Sequence, residues 1–288
     1  MGFSYVDYTY PGGHTATGIA QGINDAGQVV VQQVFSYWDD GSTDTRSYIW
    51  QDGVATELTS ATGGDTTVYA INNAGQTLIR AGTLFIRNSD GTMIPIDNPT
   101  ATSRVNPEAI NNNAEVVGYY NDDGYKAFIW QDGVMTDLGH LPGGLTSRAH
   151  DINDSGQVVG YSEWIGGGGG FIWENGVMTN LGELAPDEGC TPFGINNTGQ
   201  VVGGADGGSG TTAFFWENGE IYNLNDLVDA TAAGWTLINA QDINDNGWIV
   251  GYGYNPSGNF QKFLLTPEPG TLSLLALGAL AALRRRRR

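Results

Sequence analysis

Apolar and polar residues alternate in short runs along most of the chain, and clusters of Asn, Asp and Gly separate the runs. A period of two sends one side chain inward and the next outward, so each run predicts a half-buried β-strand bounded by turns. The stretch from Ser147 shows the plan. SRAHDI predicts a first strand, and Asn153-Asp154-Ser155-Gly156 predicts a turn, with glycine taking positive φ and Asn/Asp forming an Asx turn. QVVGYS (157–162) predicts a second strand and GFIW (170–173) a third. Glu174-Asn175-Gly176 is a tight hairpin signal, and VMTNLGEL follows as the fourth strand. The five glycines Gly166–Gly170 read as a flexible linker. A phosphate-cradling loop would instead need a following helix start and a Lys-Ser/Thr pair.

This unit recurs. Ile-Asn-(Asn/Asp)-x-Gly or a close variant begins at Ile23, Ile71, Ile110, Ile152, Ile195 and Ile243, at spacings of 48, 39, 42, 43 and 48 residues. A period in the low forties is the length of a four-stranded propeller blade. The third and fourth strands recur as YIWQDGVATEL from Tyr48, AFIWQDGVMTDL from Ala127 and AFFWENGEIYNL from Ala213. Trp50, Trp130, Trp173 and Trp216 share one position, which predicts core between blades rather than a ligand platform. Two repeats drift: Leu84-Phe85-Ile86-Arg87 replaces the tryptophan strand, and Ala114 stands in the glycine slot, so that Asn113 is expected to take the left-handed conformation. The sixth repeat lacks a fourth strand, and FSYVDYTYPGG at the start aligns with VMTDLGHLPGG of the third. Residues 3–9 are therefore expected to close the last blade, leaving no open sheet edges. The expected fold is all-β: a six-bladed β-propeller over 1–266 closed by the N-terminal strand, with a short hydrophobic helix beyond it.

The repeat resembles the HAF family of extracellular repeats, best at Lys126–Trp130 with MTDLGHLPGG (135–144). The resemblance covers nearly all of residues 1–265 and implies an extracellular protein without naming an activity.

The last 22 residues have a different character. Pro267-Glu268-Pro269 holds the chain extended, 13 apolar residues run from Thr271 to Leu283, and Arg284, Arg285, Arg286, Arg287 and Arg288 end the sequence. A full membrane span needs about 20 residues, so snorkelling arginines or a thinned bilayer would complete this one. The arginines would hold the end on the cytoplasmic side. This order resembles the PEP-CTERM sorting signal of Gram-negative bacteria. The resemblance implies an exosortase-type membrane peptidase as partner, recognition at the Pro-Glu-Pro, a transient membrane anchor, and export to the surface alongside exopolysaccharide. Such proteins carry an N-terminal secretory signal, whereas MGFSYVDYTYPGG has neither a basic region nor an apolar one. A segment upstream of residue 1 is the expected explanation.

Charge narrows the partners. Without the tail, 7 basic side chains face 30 acidic ones, a net of −23, and the lysines are only Lys126 and Lys262. Such a surface repels nucleic acid and anionic lipid and favours cations or neutral sugars. One cysteine, Cys190, excludes an intrachain disulfide; it is read as a loop residue whose thiol pKa neighbouring acids raise. His14, His140 and His150 echo repeat positions and form no recognisable triad. Loops at Asp39–Asp44, Asn121–Gly124 and Asp187–Gly189 carry oxygen ligands suited to Ca²⁺, but none has EF-hand spacing, and solvated loop acids are the plainer account. Paired carboxylates are abundant in so acidic a chain and single out no site.

The sequence thus points to a non-enzymatic surface or matrix protein that binds exopolysaccharide or protein partners. A glycan hydrolase or lyase is the rival, with a site assembled from several blades at the propeller channel mouth. Arg80, Arg87, Arg104, Glu108 and Arg148, which break the repeat, are its candidate residues.

Overall fold

Short alternating strands joined by tight turns pair with their neighbours in sequence, and the computed structural model shows this throughout. It describes residues 14–37, 42–59, 65–97, 104–186, 188–207, 210–228 and 234–266. The first sheet is β1 (His14–Ile23), β2 (Val29–Tyr37), β3 (Thr43–Gln51) and β4 (Val54–Glu57); the second is β5 (Thr67–Ile71), β6 (Thr77–Ala81), β7 (Thr83–Arg87) and β8 (Met93–Pro95). The third is β9 (Val105–Ile110), β10 (Val116–Asn121), β11 (Tyr125–Gln131) and β12 (Val134–Gly139). The fourth is β13 (Thr146–Ile152), β14 (Val158–Trp164), β15 (Gly167–Glu174) and β16 (Val177–Asn180). The fifth is β17 (Cys190–Ile195), β18 (Val201–Gly207), β19 (Gly210–Glu217) and β20 (Glu220–Asn223). After one helical turn, α1 (Leu224–Leu227), the sixth has β21 (Thr236–Ile243), β22 (Ile249–Tyr254) and β23 (Phe260–Leu265). The fold class is an all-β six-bladed propeller with almost no helix. The expected closing strand at residues 3–9 and the C-terminal helix lie outside the described residues. Among those described, no helix is long and apolar enough to cross a membrane.

The chain divides into two compact units, Met1–Tyr120 with Ile129–Thr136, and Asn121–Phe128 with Asp137–Arg288. In the first, β1, β5 and β9 lie side by side, and Val30, Leu58, Val68, Ile71 and Ile79 form a core. In the second, β13, β17 and β21 do the same. There a glycine of each second strand faces a phenylalanine of the third: Gly160 with Phe171, Gly203 with Phe214 and Gly251 with Phe263. A Cβ on these glycines would stand 2.5–2.6 Å from the ring, so the missing side chain is what seats the phenylalanine. Phe171 and Phe214 are wholly buried, each contributing about 2–3 kcal/mol of apolar burial.

The Ile-Asn turns do more than reverse the chain. Asn24 Nδ2 donates to Gln28 Oε1 within its own turn (2.8 Å) and to the carbonyl of Asn72 in the next blade (3.1 Å). Asn72 repeats both bonds toward Gln76 and Asn111, Asn153 toward Gln157 and Asn196, and Asn196 toward Gln200 and Asn244. The following residue adds a latch: the amides of Asp25, Asn73, Asp154 and Asn197 each donate at 2.8 Å to the side chain of Asn73, Asn112, Asn197 and Asp245. Each asparagine is buried, so its hydrogen bonds are obligatory.

Four expectations need correction. Gly167–Gly170 belong to β15 and are not a linker, because the β14–β15 hairpin turns at Ile165-Gly166 and the glycines pair with Tyr161–Trp164. Ala114 itself takes the left-handed conformation at φ 62°, since the turn requires that geometry at its fourth residue whatever the side chain. The tryptophans are not uniformly core: Trp130 is buried, Trp173 and Trp216 are half-buried, and Trp50 is 44% exposed. Cys190 opens β17 rather than sitting in a loop, and burial is the chief reason its thiol is pushed up to about 11.

Candidate functional site

The residue before each Ile-Asn turn is Gly22, Ala70, Ala109, Asp151, Gly194 or Asp242. Four are small, because the first strands run close beside one another at this level. The two aspartates stand on β13 and β21, on either side of Gly194 in β17. A Cβ at Gly194 would meet Asp242 Cα at 2.9 Å and its Oδ1 at 3.1 Å, so glycine is what admits the carboxylate there. Asp151 Oδ2 accepts from the Ile195 amide (2.8 Å) and Oδ1 from the Ile152 amide (2.9 Å), bridging β13 to β17. Asp242 Oδ1 accepts from the Ile243 amide at 2.8 Å.

Desolvation of the carboxyl groups penalises the charged form of both acids, although Asp151 is only half-buried and Asp242 keeps an exposed surface. Desolvation pushes Asp151 up to about 7, with the negative charge of Asp242 as the second cause and the two amide donors opposing. Asp242 is raised by desolvation as well, against the Ile243 amide. A carboxyl that titrates near neutrality can give or take a proton at physiological pH, which is the property general acid–base chemistry uses. The sequence carried a signal for this pair: Asp interrupts a column of Gly and Ala in two repeats of six. His150, next to Asp151, has Nδ1 2.7 Å from the Pro192 carbonyl oxygen and its ring stacked on Phe193 at 5.7 Å. Burial lowers its pKa, favouring the neutral ring.

The other singled-out residues do not converge with this pair. Pro267, Glu268, Pro269 and Arg284–Arg288 lie outside the described residues, as do the side chain of His14, Asp39, Asp40 and Asp187. His140 Nδ1 sits 3.0 Å from the Leu141 carbonyl oxygen. Arg80 donates to Tyr69 Oη and the Val105 carbonyl, and Arg87 to the Asn88 carbonyl. Arg104 and Glu108 are exposed. Arg148 lies over the Tyr125 ring at 4.2 Å and 3.9 Å from Glu163. In the 121–124 loop, Asp122 pairs with Lys126 at 3.0 Å. Among the described residues no group of three or more His, Cys, Asp or Glu could hold a metal ion.

A family model described as the PEP-CTERM protein-sorting motif matches residues 265–288. No curated protein matches the chain. Among solved structures it is similar to Pyrococcus horikoshii acylaminoacyl peptidase (10% identity, TM-score 0.51, 89% of this chain and 53% of that one) and to a Mycobacterium tuberculosis puromycin-hydrolyzing peptidase (12%, 0.53, 87% and 42%). The chain therefore spans about half the length of those two peptidases. It is also similar to a putative TolB from Agrobacterium tumefaciens (11%, 0.51, 88% and 91%). At these identities the likeness is one of fold.

Proposed function

We propose that this chain is an exported, exosortase-sorted surface or extracellular-matrix protein of a Gram-negative bacterium. Its HAF-type propeller (1–266) acts as a non-enzymatic module for exopolysaccharide or protein partners, and 267–288 is the processed tail. The carrying observation is the sorting-motif match over 265–288, which begins where β23 ends at Leu265. Removal of the tail would then leave the propeller strands intact. The surplus of acidic side chains supports partners other than nucleic acid. Expression with and without an exosortase-type peptidase tests the reading through cell fractionation and the intact mass of the product. Processing near Pro267–Pro269 and release to the surface are expected, with the Glu268→Ala chain retained in the membrane. A protein found soluble in the cytoplasm with its tail intact would contradict it.

A second reading, a glycan hydrolase or lyase, draws support from the Asp151–Asp242 pair. Its test is product release from a polysaccharide panel by the full chain and by Asp151→Asn. Turnover lost in that variant supports the reading, and no turnover by the parent chain removes it.

A further inference from the structure

The fourth blade departs from the repeat where β15 consists of glycine. β16 pairs with Phe171–Glu174 and ends at Asn180, while β15 continues back to Gly167. The edge at Gly167–Gly169 therefore borders a cleft of about 400 Å³, lined also by Gly182, Glu183, Glu188, Gly189 and Asp206. Two aromatic rings flank that edge. A Cβ at Gly168 would stand 2.1 Å from Tyr161 Oη, so the phenol lies against bare backbone on one face of the strand. On the other face, a Cβ at Gly167 would stand 3.0 Å from Trp164 Nε1 and one at Gly169 3.2 Å from Trp164 Cη2. The glycines are thus the condition for both rings to lie where they do. No other repeat carries such a run.

The polar lining is one-sided. Glu183, Glu188 and Asp206 line the cleft with Asn180, and among the described residues the lining includes no Lys or Arg. The Glu188 amide donates to Glu183 Oε2 at 3.2 Å. Burial raises the pKa of Tyr161, with the charges of Glu163 and Asp206 adding to it, so its hydroxyl remains a neutral donor. Aromatic faces stack on the C–H face of a pyranose, carboxylates accept from hydroxyl and ammonium groups, and the volume lies within the range of small-ligand sites.

We infer that this cleft binds a pyranose carrying an amino group, as in a glucosamine-containing polysaccharide, with its ring against Trp164 and its ammonium among the three carboxylates. The inference rests on the proposed role as an extracellular binding module and supplies the ligand class. Calorimetry on the full chain compares a tetramer of glucosamine with cellotetraose, tetragalacturonate and an extended neutral peptide. The glucosamine tetramer is expected to bind at least tenfold more tightly than cellotetraose, weakening in 0.5 M salt, with no binding of the uronate. Trp164→Ala is expected to lose at least tenfold in affinity, and the exposed Asp206→Asn roughly threefold, both with unchanged circular dichroism. Wild-type affinity in both variants, preference for the uronate, or binding of the peptide alone would overturn the cleft assignment. Processing and surface location are scored on the same preparations. A chain that is sorted but binds no amino sugar therefore loses this inference alone, whereas one that is not sorted loses the proposed function.

Discussion

The Ile-Asn turns and the glycine strand of blade four are built from the same vocabulary of small and polar residues, and they do opposite things. In the turns, Asn24, Asn72, Asn153 and Asn196 each donate to a fixed partner in their own blade and in the next, so these polar groups are consumed by the fold. Along Gly167–Gly169 the absent side chains border a cleft that Glu183, Glu188 and Asp206 also line. The repeated turns are scaffold, and the proposed binding cleft falls where one repeat is interrupted.

Several substitutions sharpen or break that contrast. The largest effect is expected at the repeated glycines: Gly160→Val would drive a side chain into the Arg148 carbonyl, 2.1 Å from the Cβ position, and into Phe171. A loss of about 3 kcal/mol in urea unfolding is expected. Asn196→Ala removes the bonds that the buried Asn196 side chain makes to Gln200 and to the Asn244 carbonyl. A loss of about 2 kcal/mol is expected. By contrast Trp164→Ala, at the edge of the cleft, should change stability by no more than about 0.5 kcal/mol.

The carboxylate pair predicts a pH dependence between these extremes. Asp151 binds its proton more tightly folded than unfolded, with the pKa raised to about 7 from the ordinary 3.8. The folded state therefore holds more protons between those values, and stability falls as pH rises from about 4 through 7. A decline on the order of 2 kcal/mol is expected, and Asp151→Asn should flatten it. One substitution has the opposite sign. Ala114→Gly relieves the left-handed conformation at φ 62° and should add about 1 kcal/mol.

The six-sheet plan was legible because the turn chemistry is local. Asn175-Gly176 and Asp132-Gly133 adopt the positive φ values that such pairs announce. The first strand of each blade could be placed from the Ile-Asn motif, although the latch between neighbouring turns could not, since it depends on which blades meet. Glycine strands defeat a reading based on alternation: Gly167–Gly170 carry no side chain to point in or out, and a run that pairs regularly looks like a linker. Ala114 misled for a different reason, because Asn111 Oδ1, accepting from the Glu115 amide within the same turn, holds the turn against the local preference of alanine. Asp151 and Asp242 were hidden among 31 acids until the column they occupy was compared across repeats. The helical turn α1 follows from Asn223, whose side chain caps the Asn225 amide, a signal too short to register beside a strand.

Hydrogen exchange of the full chain, with and without a glucosamine tetramer, tests the contrast most directly. The account predicts protection confined to residues 161–170 and 180–190, with the Ile-Asn turns slow to exchange in both states. Protection centred on those turns or on another blade, with blade four unchanged, would contradict it.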